Sequence, residues 1–483
     1  MSYNVMQDPF FNCHTHSEMS NLRLKDCTIK AKDAILYVAN TLGQTGYVLT
    51  DHESLSNHLK VLSTVKELKE SGKINDTFKV GLGNEIYLVE EEDMYNKLAN
   101  KEYINFYHFI LIALDDEGHK QLRELSSRAW SRMFNHKRLD RVPTFKSDLE
   151  EVIGNNNGHI IGSTACLGGE LGKAIMTEDY DKAYDFIAWC QSVFGSNNFY
   201  LEMQPHDPFL SVDGVDSITE QEVVNRWIAK QGLPTIITTD AHYLDAEDRM
   251  LHEAYLRSDE DDEVTNSGGR EVGEFYATTY FMSVKELRSR LNYLNDEYFN
   301  DCIHNTYSIY ERINFDSYYK LFKNQVIPQI PLPPKEEWYW NQEMVEFIED
   351  NNFENVLQLF DSENEYDNYL MSLCMRGTDD LIDKQDWYST FKRLDDEMFE
   401  LIGISKAKNA VMSAYFITMY KFINIIWEEA SSLVGVSRGS GAGWITNYLL
   451  GIVQINPLEQ PAEMPLWRFI SSERPDFPKQ YWG

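Results

Sequence analysis

Two short motifs, far apart in the chain, could serve one chemistry. His14 and His16 flank Thr15, and Asp240 and His242 flank Ala241. Residues two apart on a strand project from the same face, so each pair can offer two donors to one ion. His52, Glu85, His108 and Cys166 stand beside other short apolar runs and add four further donors. A lone H-x-H is weak, and hydrogen-bonded polar residues at a barrel mouth are the bland alternative. That alternative has to account for two same-face pairs and four more donors of metal-binding type, which together mark a metal site. Mixed imidazole, carboxylate and thiolate donors suit zinc, manganese or iron rather than calcium. Eight donors exceed what one tetrahedral ion can use, so two or three ions are expected. Clustered divalent ions point to phosphoester hydrolysis, where paired ions clamp the attacking and leaving oxygens. No Ser-His-Asp arrangement or G-x-G-x-x-G competes with this reading in the first half.

The elements that must position these residues repeat one pattern. Phe10-Phe11-Asn12-Cys13 runs into His14, Gly46 to Thr50 into Asp51-His52, and Lys79 to Asn84 into Glu85. His108 precedes the run Phe109 to Ala113. His159 to Ala165 meets Cys166, Phe199-Tyr200-Leu201 meets Glu202, and Thr235 to Thr239 meets Asp240. Helical periodicity, as in Ala31 to Leu42 and Ser217 to Lys230, separates most of these seven runs. Strands alternating with helices predict parallel pairing and an α/β fold, a closed or nearly closed β/α barrel with its chemistry at the strand ends.

A chain of 483 residues predicts two to three domains. Six cysteines without a C-x-x-C pair fit free thiols in a reducing compartment. The start lacks a signal-peptide pattern, and no apolar run approaches the roughly 20 residues of a membrane span, so a soluble, cytoplasmic protein with no membrane partner is expected. A net charge of −33 argues against gripping a phosphate backbone over the whole surface. Local basic channels or bound cations can still offset it.

The metal-type segments resemble the polymerase-and-histidinol-phosphatase (PHP) domain, a distorted seven-stranded β/α barrel binding up to three metals. By that resemblance His14 and His16 match the opening H-x-H, and His52 and Glu85 the next two ligands. His108 and Cys166 follow, and Asp240 and His242 form the closing D-x-H. Asp26 is the candidate for the remaining ligand, although it lies farther from His16 than the pattern usually places it. Asp51 is read as orienting a ligand, and Glu202 and His206 as neighbours rather than ligands. His58, His119, His136, His159, His252 and His304 match nothing in the pattern and are read as surface or packing residues.

The second half resembles the palm of C-family (DNA polymerase III alpha-type) DNA polymerases. The aliphatics before Leu332-Pro333, the helix-like Tyr369 to Cys374, and the blocks Phe391 to Glu397 and Ser413 to Ile423 carry the resemblance. So does the glycine-rich Ser437-Arg438-Gly439-Ser440-Gly441-Ala442-Gly443. Close backbone approach to phosphates needs glycines, which makes Arg438, Gly439, Ser440, Gly441 and Gly443 the nucleotide-binding candidates. The expected organisation is a PHP barrel over 1–285, a helical connection and Pro-rich linker over 286–335, and the first part of a mostly helical palm over 336–483. Glu473-Arg474-Pro475-Asp476 resembles the approach to the polymerase's catalytic aspartates, which the sequence does not reach before Lys479 to Gly483.

The resemblance implies a metal-dependent 3′–5′ exonuclease acting on DNA 3′ ends and primer-template, in a bacterial or virus-infected bacterial cell. Polymerase activity is not expected of the chain alone. Magnesium is expected only if a second chain supplies the rest of the polymerase. An incomplete palm is expected to expose apolar surface at Trp444 to Leu450 and Trp467 to Ile470. The alternatives are a metal-stabilised, non-catalytic scaffold and a phosphatase of small phosphoesters.

Overall fold

A computed structural model describes residues 10–22, 24–136, 139–206, 219–258, 276–314, 327–462 and 464–472. Glu473 to Gly483, the acidic loop over 264–275 and the first linker residues 325–326 lie outside the described residues. The chain divides into two units, Met1–Lys323 and Asn324–Gly483.

Strands of the first unit are β1 (Gly46–Leu49), β2 (Lys79–Val89), β3 (Tyr107–Ala113), β4 (Phe134–His136), β5 (Leu139–Arg141), β6 (Pro143–Phe145), β7 (Ile160–Ser163), β8 (Phe199–Met203) and β9 (Thr235–Ile237). The main sheet runs β1-β2-β3-β7-β8-β9, with β6 beside the end of β2 and β4-β5 a separate hairpin. The opening run bridges to Tyr47 in β1 through Asn12 and to Ala241 beyond β9 through Thr15. It thereby links the two edges of a curled sheet. Gly46 sits where this run, β1 and β2 meet. Its φ is +149°, and a Cβ there would lie 1.8 Å from the Lys79 carbonyl oxygen.

One expectation is corrected. The strands are not all parallel: β3 runs antiparallel to both β2 and β7. The helix Glu91–Asn100 between β2 and β3 permits a crossover without demanding one, because pairing direction rests on long-range backbone bonds that local periodicity does not encode. The reversal matters for the site. It brings the first residues of β3, including His108, to the rim where the neighbouring strands end.

Helices cover the sheet, and several begin at a side-chain cap of the kind that satisfies free first-turn amides. Asp115 accepts from Gly118 N, Asp179 from Lys182 N and Asn295 from Tyr298 N. Apolar faces of these helices close over Phe109, Leu111 and Leu201, with Phe186 and Phe194 from the helix Tyr180–Phe194. The helix Asp296–Arg312 joins the first unit, where Asn305 Nδ2 donates to the Thr235 carbonyl at 2.8 Å and Thr306 Oγ1 accepts from Phe11 N at 3.3 Å. All six cysteines are unpaired and buried.

The second unit is helical: Gln342–Asp350, Glu354–Phe360, Glu365–Leu381, Trp387–Lys408, Ser413–Asn424 and Ile445–Leu449. Its core gathers Met344, Leu370, Phe391, Met398, Phe416 and Trp444. This overturns the exposed surface expected at Trp444 to Leu450. Trp444, Ile445, Leu449 and Leu450 are buried, with the Trp444 ring stacked on Phe416 at 5.7 Å. The periodicity of a five-residue helix is too short to reveal which side faces a core. Trp467 is exposed, whereas Phe469 packs edge-on against Trp444. No single described helix is long and apolar enough to cross a membrane.

Candidate metal centre

The opening run is pinned on both sides by backbone bonds. Val48 N donates to Asn12 O at 2.8 Å and Thr50 N to Thr15 O at 2.8 Å, while His16 N donates to Ala241 O at 2.9 Å. Extended backbone with its two-residue period turns His14 and His16 to one face. Asn12 reinforces the join, donating to Thr239 Oγ1 and accepting from Thr239 N.

All nine residues singled out as ligands converge. His14 Nε2 lies 3.3 Å from Glu85 Oε2 and 3.1 Å from Asp240 Oδ1. His16 Nε2 lies 3.1 and 3.0 Å from the same two oxygens. His52 Nε2 is 2.9 Å from Asp26 Oδ2 and its Nδ1 2.9 Å from Glu85 Oε2. His242 Nε2 is 3.7 Å from Asp26 Oδ2, so Asp26 reaches the cluster despite its sequence spacing. His108 Nδ1 is 2.5 Å from Glu85 Oε1 and 3.5 Å from Cys166 Sγ. The donors form three overlapping groups: His16, His52 and His242; His14, His16, Glu85 and Asp240; and Glu85, His108 and Cys166. His16 belongs to two groups, and so does Glu85.

These groups fit cations. Asp26 Oδ1 is buried without a hydrogen-bond partner, and His52 Nδ1, Glu85 Oε1 and His242 Nε2 meet only other members of the cluster. Such atoms are costly to bury unless something else satisfies them. The charges say the same. Burial opposes ionisation of Asp26, yet His52 and His242 hold its carboxyl far below the usual range. Burial likewise opposes ionisation of Glu85 and Asp240, and the surrounding imidazoles push both down. Burial would lower the His14 pKa, but Asp240, Glu202 and Glu85 raise it well above the ordinary value. Protons on imidazoles here occupy the role that metal cations would compete for. Burial, with Asp240 and Glu85, pushes the Cys166 thiol well up, so a thiolate at this position calls for a cation beside it.

The backbone is strained around the same residues. Asp240 (φ 46°), Ala165 beside Cys166 (φ 58°) and Glu53 beside His52 (φ 49°) all adopt left-handed conformations, which non-glycine residues hold at some cost and which gather at functional sites.

Among the described residues, two carboxylates outside the nine support candidate ligands. Asp51 accepts from Ser17 N and Oγ and from Ser20 Oγ, and Ser20 Oγ meets His16 Nδ1 at 3.0 Å. Sequence reasoning passed over the role of Glu202, whose Oε1 is 2.7 Å from His14 Nδ1. An acid inside an apolar strand was the available signal, since a buried charge needs partners. His206 instead meets Thr278 Oγ1 at 3.1 Å. Among the histidines set aside, His58 and His119 form a buried pair at 3.1 Å and His252 Nε2 donates to the Asp26 carbonyl. His304 is exposed.

In the second unit the glycine-rich segment forms a tight turn, Gly439–Gly443. Arg438 and Gly439 are exposed, Ser440 and Gly441 half-buried and Gly443 buried. Arg393 Nη2 donates to the Gly443 carbonyl at 2.6 Å and to the Met464 carbonyl at 2.8 Å.

With this geometry in place, comparison with known proteins gives two family matches. Residues 12–206 match the PHP domain, and residues 368–479 match the bacterial DNA polymerase III alpha NTPase domain. The chain combines a PHP domain with a bacterial DNA polymerase III alpha NTPase domain. The DNA-directed DNA polymerase of Bacillus phage SPbeta is 35% identical, over 96% of this chain and 36% of that protein. DNA polymerase III subunit alpha of Borreliella burgdorferi is 27% identical, over 97% and 35%. That of Aquifex aeolicus is 25% identical, over 98% and 36%. The chain thus spans about a third of the length of these relatives. A solved structure from Bifidobacterium adolescentis aligns at 11% identity and a TM-score of 0.29, over 48% of this chain and 87% of that one, and carries no argument. Within the PHP match lie seven of the nine converging donors, and Asp240 and His242 follow it.

Proposed function

We propose that the first unit is a divalent-metal-dependent phosphodiesterase that removes nucleotides from DNA 3′ ends. The observation that carries this reading is the convergence of eight donors, all but His108 buried, in three overlapping groups, with Asp26 against two of them. His52 and His242 with Asp26 would hold one ion, His14, Glu85 and Asp240 a second, with His16 placed to complete either, and Glu85, His108 and Cys166 a third. Zinc, manganese and iron match this donor set. When bound, such ions supply Lewis-acid activation of water and of the phosphoryl group. The chain's own residues set the spacing. Glu85, whose two carboxylate oxygens face different groups, would keep neighbouring ions close enough to act on one phosphate. Relatives named as DNA polymerases make DNA the substrate proposed.

For the second unit we propose that Arg438, Gly439, Ser440, Gly441 and Gly443 face a nucleotide's phosphates. Gly439 has φ +82°, and a Cβ at Gly439, Gly441 or Gly443 would meet nothing closer than 3.7 Å within the chain. Internal crowding therefore does not explain the missing side chains, whereas a ligand approaching the backbone from outside would.

The test is digestion of a 5′-labelled primer, single-stranded or mispaired, with manganese or zinc supplied. Stepwise 3′ shortening that disappears in the His14→Ala/His242→Ala double variant supports the reading. Digestion unchanged in that variant refutes it. Turnover of small phosphomonoesters alone would favour a phosphatase, and metal binding without any turnover a scaffold.

A further inference from the structure

We propose that Glu202 is a positioning residue of the metal centre, its carboxylate fixing His14 in the tautomer that presents the Nε2 lone pair to the ions. The inference rests on the metal reading above and concerns a residue that the nine-donor pattern leaves out. His14 Nδ1 lies 2.7 Å from Glu202 Oε1, while Nε2 faces Asp240 and Glu85. An ionised carboxylate only accepts hydrogen bonds, so this contact places the ring proton on Nδ1 and leaves Nε2 free to ligate. A carboxylate behind a ligating imidazole also raises its basicity.

Glu202 is itself held so firmly that it cannot turn into a ligand. Oε1 also accepts from Thr238 Oγ1 at 2.6 Å and Gln204 Nε2 at 3.0 Å. Oε2 accepts from Ser163 Oγ at 2.6 Å, and Glu202 N donates to Thr164 Oγ1 at 3.0 Å. These partners come from the end of β7, from just past β8 and from just past β9, so three strands converge on one carboxylate. Moving it toward the ions would break several bonds in a site only 2% exposed. The contrast with the second histidine of the motif is informative. His16 Nδ1 meets the Ser20 hydroxyl, and the Asp51 carboxylate stands one bond further back. His14 has its carboxylate in direct contact, which makes its donor strength depend more on an outer partner than that of His16 does.

The experiment is a manganese titration of the full chain, following the signal of free manganese by electron paramagnetic resonance, for wild type, Glu202→Gln and Ser163→Ala. Glu202→Gln keeps the shape and one acceptor but removes the charge, so the fold should persist and manganese affinity should fall about tenfold. Ser163→Ala, which removes one of several bonds to Glu202 and keeps its charge, should lower affinity far less than Glu202→Gln. A histidine-selective ring-nitrogen spectrum of the metal-free chain, at alkaline pH where the imidazoles are neutral, supplies a readout that packing alone would not move. His14 should carry its proton on Nδ1 in wild type and lose that single state in Glu202→Leu. Manganese binding by Glu202→Gln equal to wild type overturns the proposal, as does an unchanged tautomer in Glu202→Leu. If the wild-type chain binds no manganese at all, the metal reading falls and this inference with it. Wild-type binding matched by the variant removes this inference alone.

Discussion

Glu397 should make the second unit less stable as pH rises through neutrality, and replacing it with glutamine should remove that dependence. The residue is buried on the helix Trp387–Lys408. Its carboxylate meets Arg393 Nε at 3.1 Å, Ile445 N at 2.6 Å, and Thr446 N and Oγ1 at 2.9 and 2.7 Å. Burial raises its pKa from 4.5 to about 7, against the lowering pull of Thr446, Arg393 and Ile445. The folded state therefore keeps a proton that the unfolded chain has released between those two values. Stability from this group is full below pH 4.5 and is lost as pH rises through 7. A rise of that size is worth roughly 3 kcal/mol. Glu397→Gln keeps the shape without titrating, so the stability difference, wild type minus variant, should fall by roughly that amount between pH 4.5 and 8. The assay is hydrogen exchange by mass spectrometry on the peptide containing Ile445 and Thr446, whose amides bond to this carboxylate. Comparing both proteins at each pH cancels intrinsic exchange, and the protection ratio should drop about a hundredfold. A flat ratio refutes the reasoning. A ratio that rises with pH would mean that the four donors outweigh burial and keep the carboxylate ionised throughout.

His16 serves two donor groups and Cys166 one, so His16→Ala should lose more metal per chain than Cys166→Ser; equal losses by elemental analysis would contradict the shared-ligand geometry. Gly46→Ala forces a Cβ to 1.8 Å from the Lys79 carbonyl and should destabilise the first unit by about 3 kcal/mol or more, read as a large drop in its thermal midpoint. Burial, then mutual repulsion, lowers His58 to about 3, and burial, then Arg123, lowers His119 to about 4. Both are held below their ordinary 6.5, so their stability is present above pH 6.5 and is lost as pH falls toward 4. His119→Gln should flatten that loss in urea unfolding between pH 7 and 5, and an unchanged slope would count against it.

Much of the centre is legible in the sequence, because local geometry determines it. A two-residue period puts His14 with His16 on a common face, whereas Asp240 and His242 lie past the end of β9 and meet at the cluster through a left-handed turn at Asp240. Donors recurring beside apolar runs likewise announce a shared rim. The position of His108 ahead of its run, where most other donors follow theirs, carries the reversal of β3 in plain sight, but periodicity has no direction, and only the pairing of β3 with β2 and β7 reveals it. Asp26 enters by resemblance, and the fold brings it to His52. The sharing of His16 and Glu85 between groups, the clasp of Glu202 on His14, and the burial of Trp444 are relations between residues well separated along the chain. Sequence sets which side chains can act; distances between remote segments, and the burial that gives their charges force, arise only when the sheet curls and the helices close over it.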